Sequence, residues 1–248
     1  MRRFIKSTLR RFGIEAWPLS TIPRGILLEQ DLTRIWSNSK QLPLTFFDVG
    51  ANIGQTAIRF KKGFPEAQIY SFEPSKATFV KLEQNTTSLS DVHCFQTALG
   101  DRNGGAIMEI EAESVWNRIM DDQTNSSVRT ERVTMQTLDT FCQEQEVVKI
   151  DLLKTDCEGY DLQVLEGATT LFGERRIDAI YSEVNFERSA RYGDFFAIER
   201  FLGSRGFTVY GIYDYSYWGY DIAEVGFANA LFVHKEVCTR VAGTAGRK

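Results

Sequence analysis

Residues 44–64 read LTFFDVGANIGQTAIRFKKGF. The compact apolar run from Leu44 to Val49 has the length and character of a buried strand, and Gly50 ends it. A second glycine follows at Gly54, and from Gln55 onward the pattern is helical. Strand, glycine turn and helix in that order form the repeating unit of an open α/β sheet, whose ligands sit beyond the C-terminal ends of the strands. Glycines at such a turn allow positive φ and let the backbone approach a ligand closely, and the helix behind it aims its N–H groups at that ligand. The dinucleotide fingerprint GxGxxG is not met, because Asn52 stands where the middle glycine would be. Asp48, just before the turn, suits a ligand with a positive group such as an amine or a sulfonium.

Outward from this stretch the alternation continues. AQIYSFEP (67–74) reads as a second strand stopped by Pro74, SKATFVKLEQNTTSL (75–89) as a helix and DVHCFQTALG (91–100) as a third strand. Residues 104–140 read as two shorter strands, the second of them RVTMQTLDTF, around the polar loop DDQTNSSVRTE. The rhythm then resumes with a strand in VVKIDLLKTDCEG (147–159), a single helix in YDLQVLEGATTLF (160–172), a strand in IDAIYSEVNF (177–186) and a helix in FFAIERFLGSRGF (195–207). TVYGIYDYS and NALFVHK form two last strands with no helix between them, so they pair as an antiparallel hairpin. The expected fold is α/β, a doubly wound, mainly parallel sheet with an antiparallel C-terminal strand. One domain spans residues 41–248, and residues 1–40 form an N-terminal helical extension.

The strand ends carry the chemistry. The second strand ends in Glu73, nineteen positions after Gly54, where a carboxylate accepts hydrogen bonds from both ribose hydroxyls of a nucleoside. The third ends in Ala98 to Asp101. The small residue leaves room for a flat base, and Asp101 or a nearby backbone group meets its amine. The fourth ends in Asp156, Glu158 and Asp161 within six positions. Dipole capping of the following helix is worth about 0.3–1 kcal/mol and accounts for one carboxylate, not three. The fifth ends in Glu183 and Asn185. If the fourth and fifth strands are neighbours, Asp156, Glu183 and Asn185 form an oxygen-rich group suited to a hard cation such as Mg²⁺.

Composition narrows the classes. The 248 residues are 43% hydrophobic and 25% charged with a net charge of −4, ordinary globular values that give no reason to expect a nucleic-acid partner. Four scattered cysteines without a CxxC pair fit a reducing, cytoplasmic setting. The N-terminus is basic, with Arg2, Arg3, Lys6, Arg10 and Arg11 around Ile5, Leu9 and Phe12 on one helical face. It reads as a terminal helix packed on the domain, or as a surface helix in weak peripheral contact with anionic lipid. The two histidines, His93 inside a strand and His234 near the chain end, are poor candidates for a general base.

FFDVGANIG, SFEP, TALGD, TLDTF and KTDCEGYDLQVLEGA, in that order, resemble the FkbM family of S-adenosylmethionine-dependent methyltransferases over about residues 44–235. Cys157 stands where that family commonly has valine. The resemblance implies a class I methyltransferase (Rossmann-like) fold, S-adenosylmethionine as cofactor, and O-methylation of a sugar, glycan or glycosylated small-molecule acceptor. It implies that Gly50, Asn52 and Gly54 line the methionine half with Asp48 close by, that Glu73 holds the ribose, that Ala98 to Asp101 flank the adenine, and that Asp156 and Glu158 bind near the amino acid end of the cofactor and the reacting centre. An alcohol acceptor must lose its proton, and Asp156 or Glu183 is the expected base or metal ligand. The alternatives are a nicotinamide-dependent oxidoreductase, which the missing glycine opposes, and a nucleoside-cofactor-binding interaction module without catalysis.

Overall fold

The computed structural model describes residues 11–12, 22–36, 43–110, 118–120, 129–186, 193–217 and 225–239. In chain order the strands are β1 (Thr45–Val49), β2 (Gln68–Phe72), β3 (Val92–Phe95), β4 (Ala98–Leu99), β5 (Gly104–Glu109), β6 (Arg118–Met120), β7 (Thr130–Gln136), β8 (Ile150–Thr155), β9 (Ile177–Asn185), β10 (Phe207–Tyr217) and β11 (Val225–His234). The helices are α1 (Leu28–Trp36), α2 (Gln55–Gly63), α3 (Lys76–Thr86), α4 (Leu138–Glu144), α5 (Asp161–Glu166), α6 (Thr169–Gly173) and α7 (Phe195–Gly203).

Seven strands form the main sheet in the order β10-β11-β9-β8-β1-β2-β3. β3, β2, β1, β8 and β9 run parallel, and β11 is antiparallel to both β9 and β10, as expected for the C-terminal hairpin. The chain winds outward through β2 and β3 on one side of β1, then starts again on the other side with β8. The gap beyond the ends of β1 and β8 is the topological switch point, where such sheets bind ligands.

Both faces of the sheet are covered, which explains why its strands read as near-continuous apolar runs: all six residues of β8 are buried. Alternate residues face opposite sides. Phe46, Leu152, Ala179 and Leu231 pack with Leu28 and Leu32 of α1 and Phe60 of α2. Phe47, Leu153, Ile180 and Phe232 pack with Phe141 of α4, Leu165 of α5 and Leu202 of α7. Helix α1 therefore lies in the core of the domain. Its buried Asp31 accepts hydrogen bonds from the Tyr213 hydroxyl (2.7 Å) and the Gly25 N–H (2.8 Å), which ties α1 to β10. The basic residues 1–10 lie outside the described residues. Arg11 and Phe12 are exposed. Among the described residues no helix is long and apolar enough to cross a membrane.

Three local expectations are corrected. The stretch 91–100 is not one strand. The ladder to β2 ends with the Glu73 N–H donating to the Phe95 carbonyl (3.1 Å), and the chain crosses to a second sheet, β4-β7-β5-β6. There the Thr97 hydroxyl donates to the Thr134 carbonyl (3.1 Å), and the Gly100 N–H to that of Gln136 (2.9 Å). RVTMQTLDTF is a strand only as far as Gln136. Thr137 then caps α4, its hydroxyl accepting from the Thr140 N–H (3.1 Å). The single helix expected over 160–172 is two. α5 stops at Gly167, where a Cβ would lie 2.0 Å from the Gly100 carbonyl oxygen. Asp139 caps α6 instead, accepting from the N–H groups of Thr170 (2.7 Å) and Leu171 (3.0 Å).

Candidate functional site

A cleft of about 370 Å³ opens at the switch point, beyond the C-terminal ends of β1, β2, β8 and β9. Its first wall is the turn after β1. Gly50 (φ 73°), Asn52 (φ 47°) and Gly54 (φ 94°) are all left-handed. At Gly50 no other residue fits, because a Cβ would lie 1.9 Å from the Asp156 carbonyl oxygen. The turn is stitched to both neighbouring strands. The Gly50 and Ala51 N–H groups donate to the Phe72 carbonyl (3.1 and 2.9 Å), and the Asp156 N–H donates to that of Val49 (3.2 Å).

Glu73 joins the first two tips. Its Oε2 accepts from the Asn52 N–H (3.1 Å) and its Oε1 from the Ser75 N–H (2.9 Å). Burial pushes its carboxyl up to about 7, against the pull of those two N–H groups. Beyond it, Thr97, Ala98 and Leu99 line a narrow side, with Met108 and Ile119 of the second sheet opposite. Tyr160 closes that side. Its hydroxyl donates to Asp101 (3.2 Å), and burial, aided by Asp101, pushes it up to about 12.

The far wall is acidic. β8 and β9 are adjacent, with Thr155 opposite Ser182, so Asp156 and Glu183 follow side by side. Oxygen atoms of Asp156, Glu158 and Glu183 lie within 4.8 Å of one another. Glu158 reaches the group because the chain turns at its own positive φ (51°) and that of Gly159 (94°). Glu183 is pushed up to about 9 by burial and by the repulsion of Asp156, Asp161 and Glu158. Asp161, at the start of α5, is raised to about 6 by burial and then by Asp156. Beneath them lies Lys154, with an ordinary strand position and an extraordinary environment. It is 3% exposed, and its Nζ meets Asp48 (3.0 Å), Asp156 (3.5 Å) and the Gly50 carbonyl (2.8 Å). Burial opposes its charge, but Asp48 and then Asp156 outweigh that and hold its pKa above the usual lysine range.

The sequence-derived candidates are thus sorted by the fold. Gly50, Asn52, Glu73, Ala98, Asp156, Glu158 and Glu183 all line the cleft. Gly54 stands just behind it at the head of α2. Asp48 is fully buried beneath the lining, paired with Lys154, and Asp101 sits behind Tyr160. Asn185 does not join the acidic group. It lies further along β9, buried, where its N–H donates to the Gly193 carbonyl (2.6 Å). Lys154, Met108, Ile119 and Tyr160 were not anticipated. Lys154 had a legible signal, a lysine inside an otherwise apolar strand. The others come from the second sheet and the α5 cap, which have no local signature.

The family model for the methyltransferase FkbM domain matches residues 48–209. At 28% identity over 182 residues, the chain is similar to Methyltransferase 1 of Beauveria bassiana, over 65% of this chain and 71% of that protein. It is 28% identical over 158 residues to the 2-O-methyltransferase NoeI of Sinorhizobium fredii, over 55% of this chain, and equally so to the hexuronic acid methyltransferase AglP of Haloferax volcanii, over 62% of it. The match spans 61% of each of those two proteins. The METTL16 MTase domain shares the fold, with a TM-score of 0.50 at 13% identity over 94% of this chain and 78% of that one.

Proposed function

The chain belongs to the FkbM methyltransferase family and is an S-adenosylmethionine-dependent methyltransferase, and we propose that it methylates a hydroxyl of a sugar, glycan or glycosylated metabolite. One observation carries the cofactor assignment: Glu73 is held by an N–H from each of two strand tips, so the β1 turn and the β2 tip form one cradle. Each oxygen of Glu73 keeps a second lone pair for a ribose hydroxyl. Gly50 and Asn52 take the methionine half, with Gly54 behind them shaping the turn, and Ala98 and Leu99 flank the base against Met108. Asp101 acts there only through Tyr160.

S-adenosylmethionine supplies a methyl group already activated on a sulfonium, so the protein's task is mostly positioning. The acidic wall suits that positive charge. Asp156, at the cleft with its side chain 40% exposed, accepts the proton of the acceptor hydroxyl as the C–O bond forms. Glu183, pushed up to about 9, carries its own proton near neutral pH and donates a hydrogen bond that orients the acceptor. A uronic acid would bring a further carboxylate to this wall, so a neutral sugar hydroxyl is the better acceptor. The sugar class rests on the names of NoeI and AglP.

A second reading keeps Mg²⁺. The oxygens of Asp156, Glu158 and Glu183 are close enough to share one hard cation, which would lower the acceptor's pKa in place of a base. The setting is a reducing cytoplasm, in keeping with the four free cysteines, with weak lipid contact through the basic N-terminus.

Calorimetric titration with S-adenosylhomocysteine and with NAD⁺, each with and without Mg²⁺, tests all of this. We expect S-adenosylhomocysteine alone to bind, and Glu73→Ala to abolish it. Binding of NAD⁺ instead returns the oxidoreductase. A Mg²⁺-dependent affinity promotes the metal over the base. Binding together with no turnover on neutral glycosides favours the non-catalytic module.

A further inference from the structure

Among the described residues, the floor of the cleft holds one cation near five carboxylates and a thiol. Lys154 faces Asp48 from β1, Glu73 from the β2 tip, Asp156 and Cys157 from its own strand end, Asp161 from α5 and Glu183 from β9. No other lysine, arginine or histidine lines the cleft among the described residues. Its geometry is specific. The ammonium donates to the Gly50 carbonyl at 2.8 Å and the Val49 carbonyl at 3.3 Å, while it pairs with Asp48 on one side and Asp156 on the other. One three-donor point charge therefore fixes the last peptides of β1, the buried carboxylate below them and the carboxylate at the β8 tip.

Resting on the cofactor reading above, we propose that Lys154 is the positioning residue of the methyl-transfer site: it locks the turn after β1 and the tip of β8 into one receptor for the methionine end of the donor. Two features argue for a role beyond neutralising a buried acid. Gly50 has no side chain with which to hold the turn, and a Cβ there would lie 1.9 Å from the Asp156 carbonyl oxygen, so the two tips meet at this point through backbone alone. Lys154 holds the Gly50 peptide and Asp156 together from below. A lysine needed only to neutralise Asp48 has no reason to spend its other donors on the Gly50 carbonyl, or to lie within 3.5 Å of an acid that faces the cleft.

The two roles separate in one experiment. Lys154→Met alone strands Asp48 as a buried unpaired charge and destabilises the fold. Lys154→Met with Asp48→Asn removes both charges. A merely structural lysine predicts that this double variant recovers both its melting temperature and its affinity for S-adenosylhomocysteine. A positioning lysine predicts that the melting temperature recovers while the affinity stays about tenfold or more below wild type. Lys154→Arg keeps the charge but replaces the compact ammonium with a longer planar fork, and we expect the same loss of affinity from it. Wild-type affinity in either folded variant overturns the proposal. If the wild-type protein itself binds no S-adenosylhomocysteine, the cofactor reading fails, and this proposal with it.

Discussion

At the N-terminal ends of β8 and β9, the buried Asp151 and Asp178 share Lys149 (2.8 and 2.6 Å), Asp178 also meets Arg175 (3.5 Å), and Asp151 accepts from the Thr45 N–H (2.9 Å). Arg175 also reaches the exposed Glu236 (3.6 Å), so three acids meet two bases. At the C-terminal ends of the same two strands and their neighbours, Asp48, Glu73, Asp156, Asp161 and Glu183 gather near Lys154, the one lysine, arginine or histidine lining the cleft among the described residues. Both ends gather carboxylates on the same sheet: Asp151 and Asp178 are buried at the first, while at the second Asp156 and Glu183 are partly exposed where they meet the cleft. The difference is that, among the described residues, the first end answers its acids with two cations and the second gathers its acids around one. A fold gains no stability from crowded acids, and the crowding here is relieved in part by carboxyls that hold their protons, Glu183 being pushed up to about 9. Such a cluster of raised carboxyls marks a functional site, and under the proposed function the sulfonium donor brings a positive charge to it.

The most forceful way to test this contrast is to remove the proposed base. Asp156→Asn should lower turnover by roughly 10²–10⁴-fold, measured with any acceptor the wild type methylates, while S-adenosylhomocysteine still binds. Turnover unchanged in Asp156→Asn would assign the acidic wall to binding alone. Next comes the cradle. Glu73→Gln should weaken S-adenosylhomocysteine by roughly tenfold to a hundredfold in calorimetry. Because ribose hydroxyls donate to the ionised carboxylate, wild-type affinity should also rise as pH climbs through about 7, and that slope should vanish in Glu73→Gln.

The opposite end sharpens the comparison by responding differently. Lys149→Met should destabilise the protein by about 1–3 kcal/mol in urea titration, since it removes the ammonium that the buried Asp151 and Asp178 share. Affinity for S-adenosylhomocysteine, per folded molecule, should not change. A parallel loss of affinity would show the two ends to be coupled. The smallest expected effect concerns Glu183. Its carboxyl is raised in the folded state, so its contribution to stability is complete below the ordinary glutamate range and is lost as pH rises through about 9. Glu183→Gln should therefore match the wild type in melting temperature near pH 5 and exceed it by roughly 2–4 °C near pH 9. Equal melting temperatures at both pH values would place Glu183 outside the strained group.

Much of the site could be read along the chain because it is built from strand tips. Glu73 is identifiable as the last residue before Pro74, and Asp156 as the acid after a buried strand. Gly50 and Gly54 mark a turn that side chains would block. What escaped the reading depended on distant partners. Gly167 looked like an interruption tolerated within one helix, yet α5 ends there: the Gly167 carbonyl accepts from the Asp139 N–H (3.0 Å), and the Gly100 carbonyl occupies the place a Cβ would take. Ala98 and Leu99 looked like the end of a third strand, yet they pair with β7 in another sheet. Asn185 looked equivalent to Glu183, yet it lies past the level of the cleft.

By itself the sequence determined the alternation of strands and helices, the glycine turn and the identity of the acids that end the strands. Each of these is local, written in the period of apolar residues and the backbone freedom of glycine. Only the tertiary structure decided which acids meet, that Glu158 takes the place expected of Asn185, that Lys154 serves both β1 and β8, and that Met108 and Tyr160 close the cleft. Strand order and the placement of the second sheet bring together residues far apart in the chain, and side-chain electrostatics act over a few ångströms of space, not along sequence.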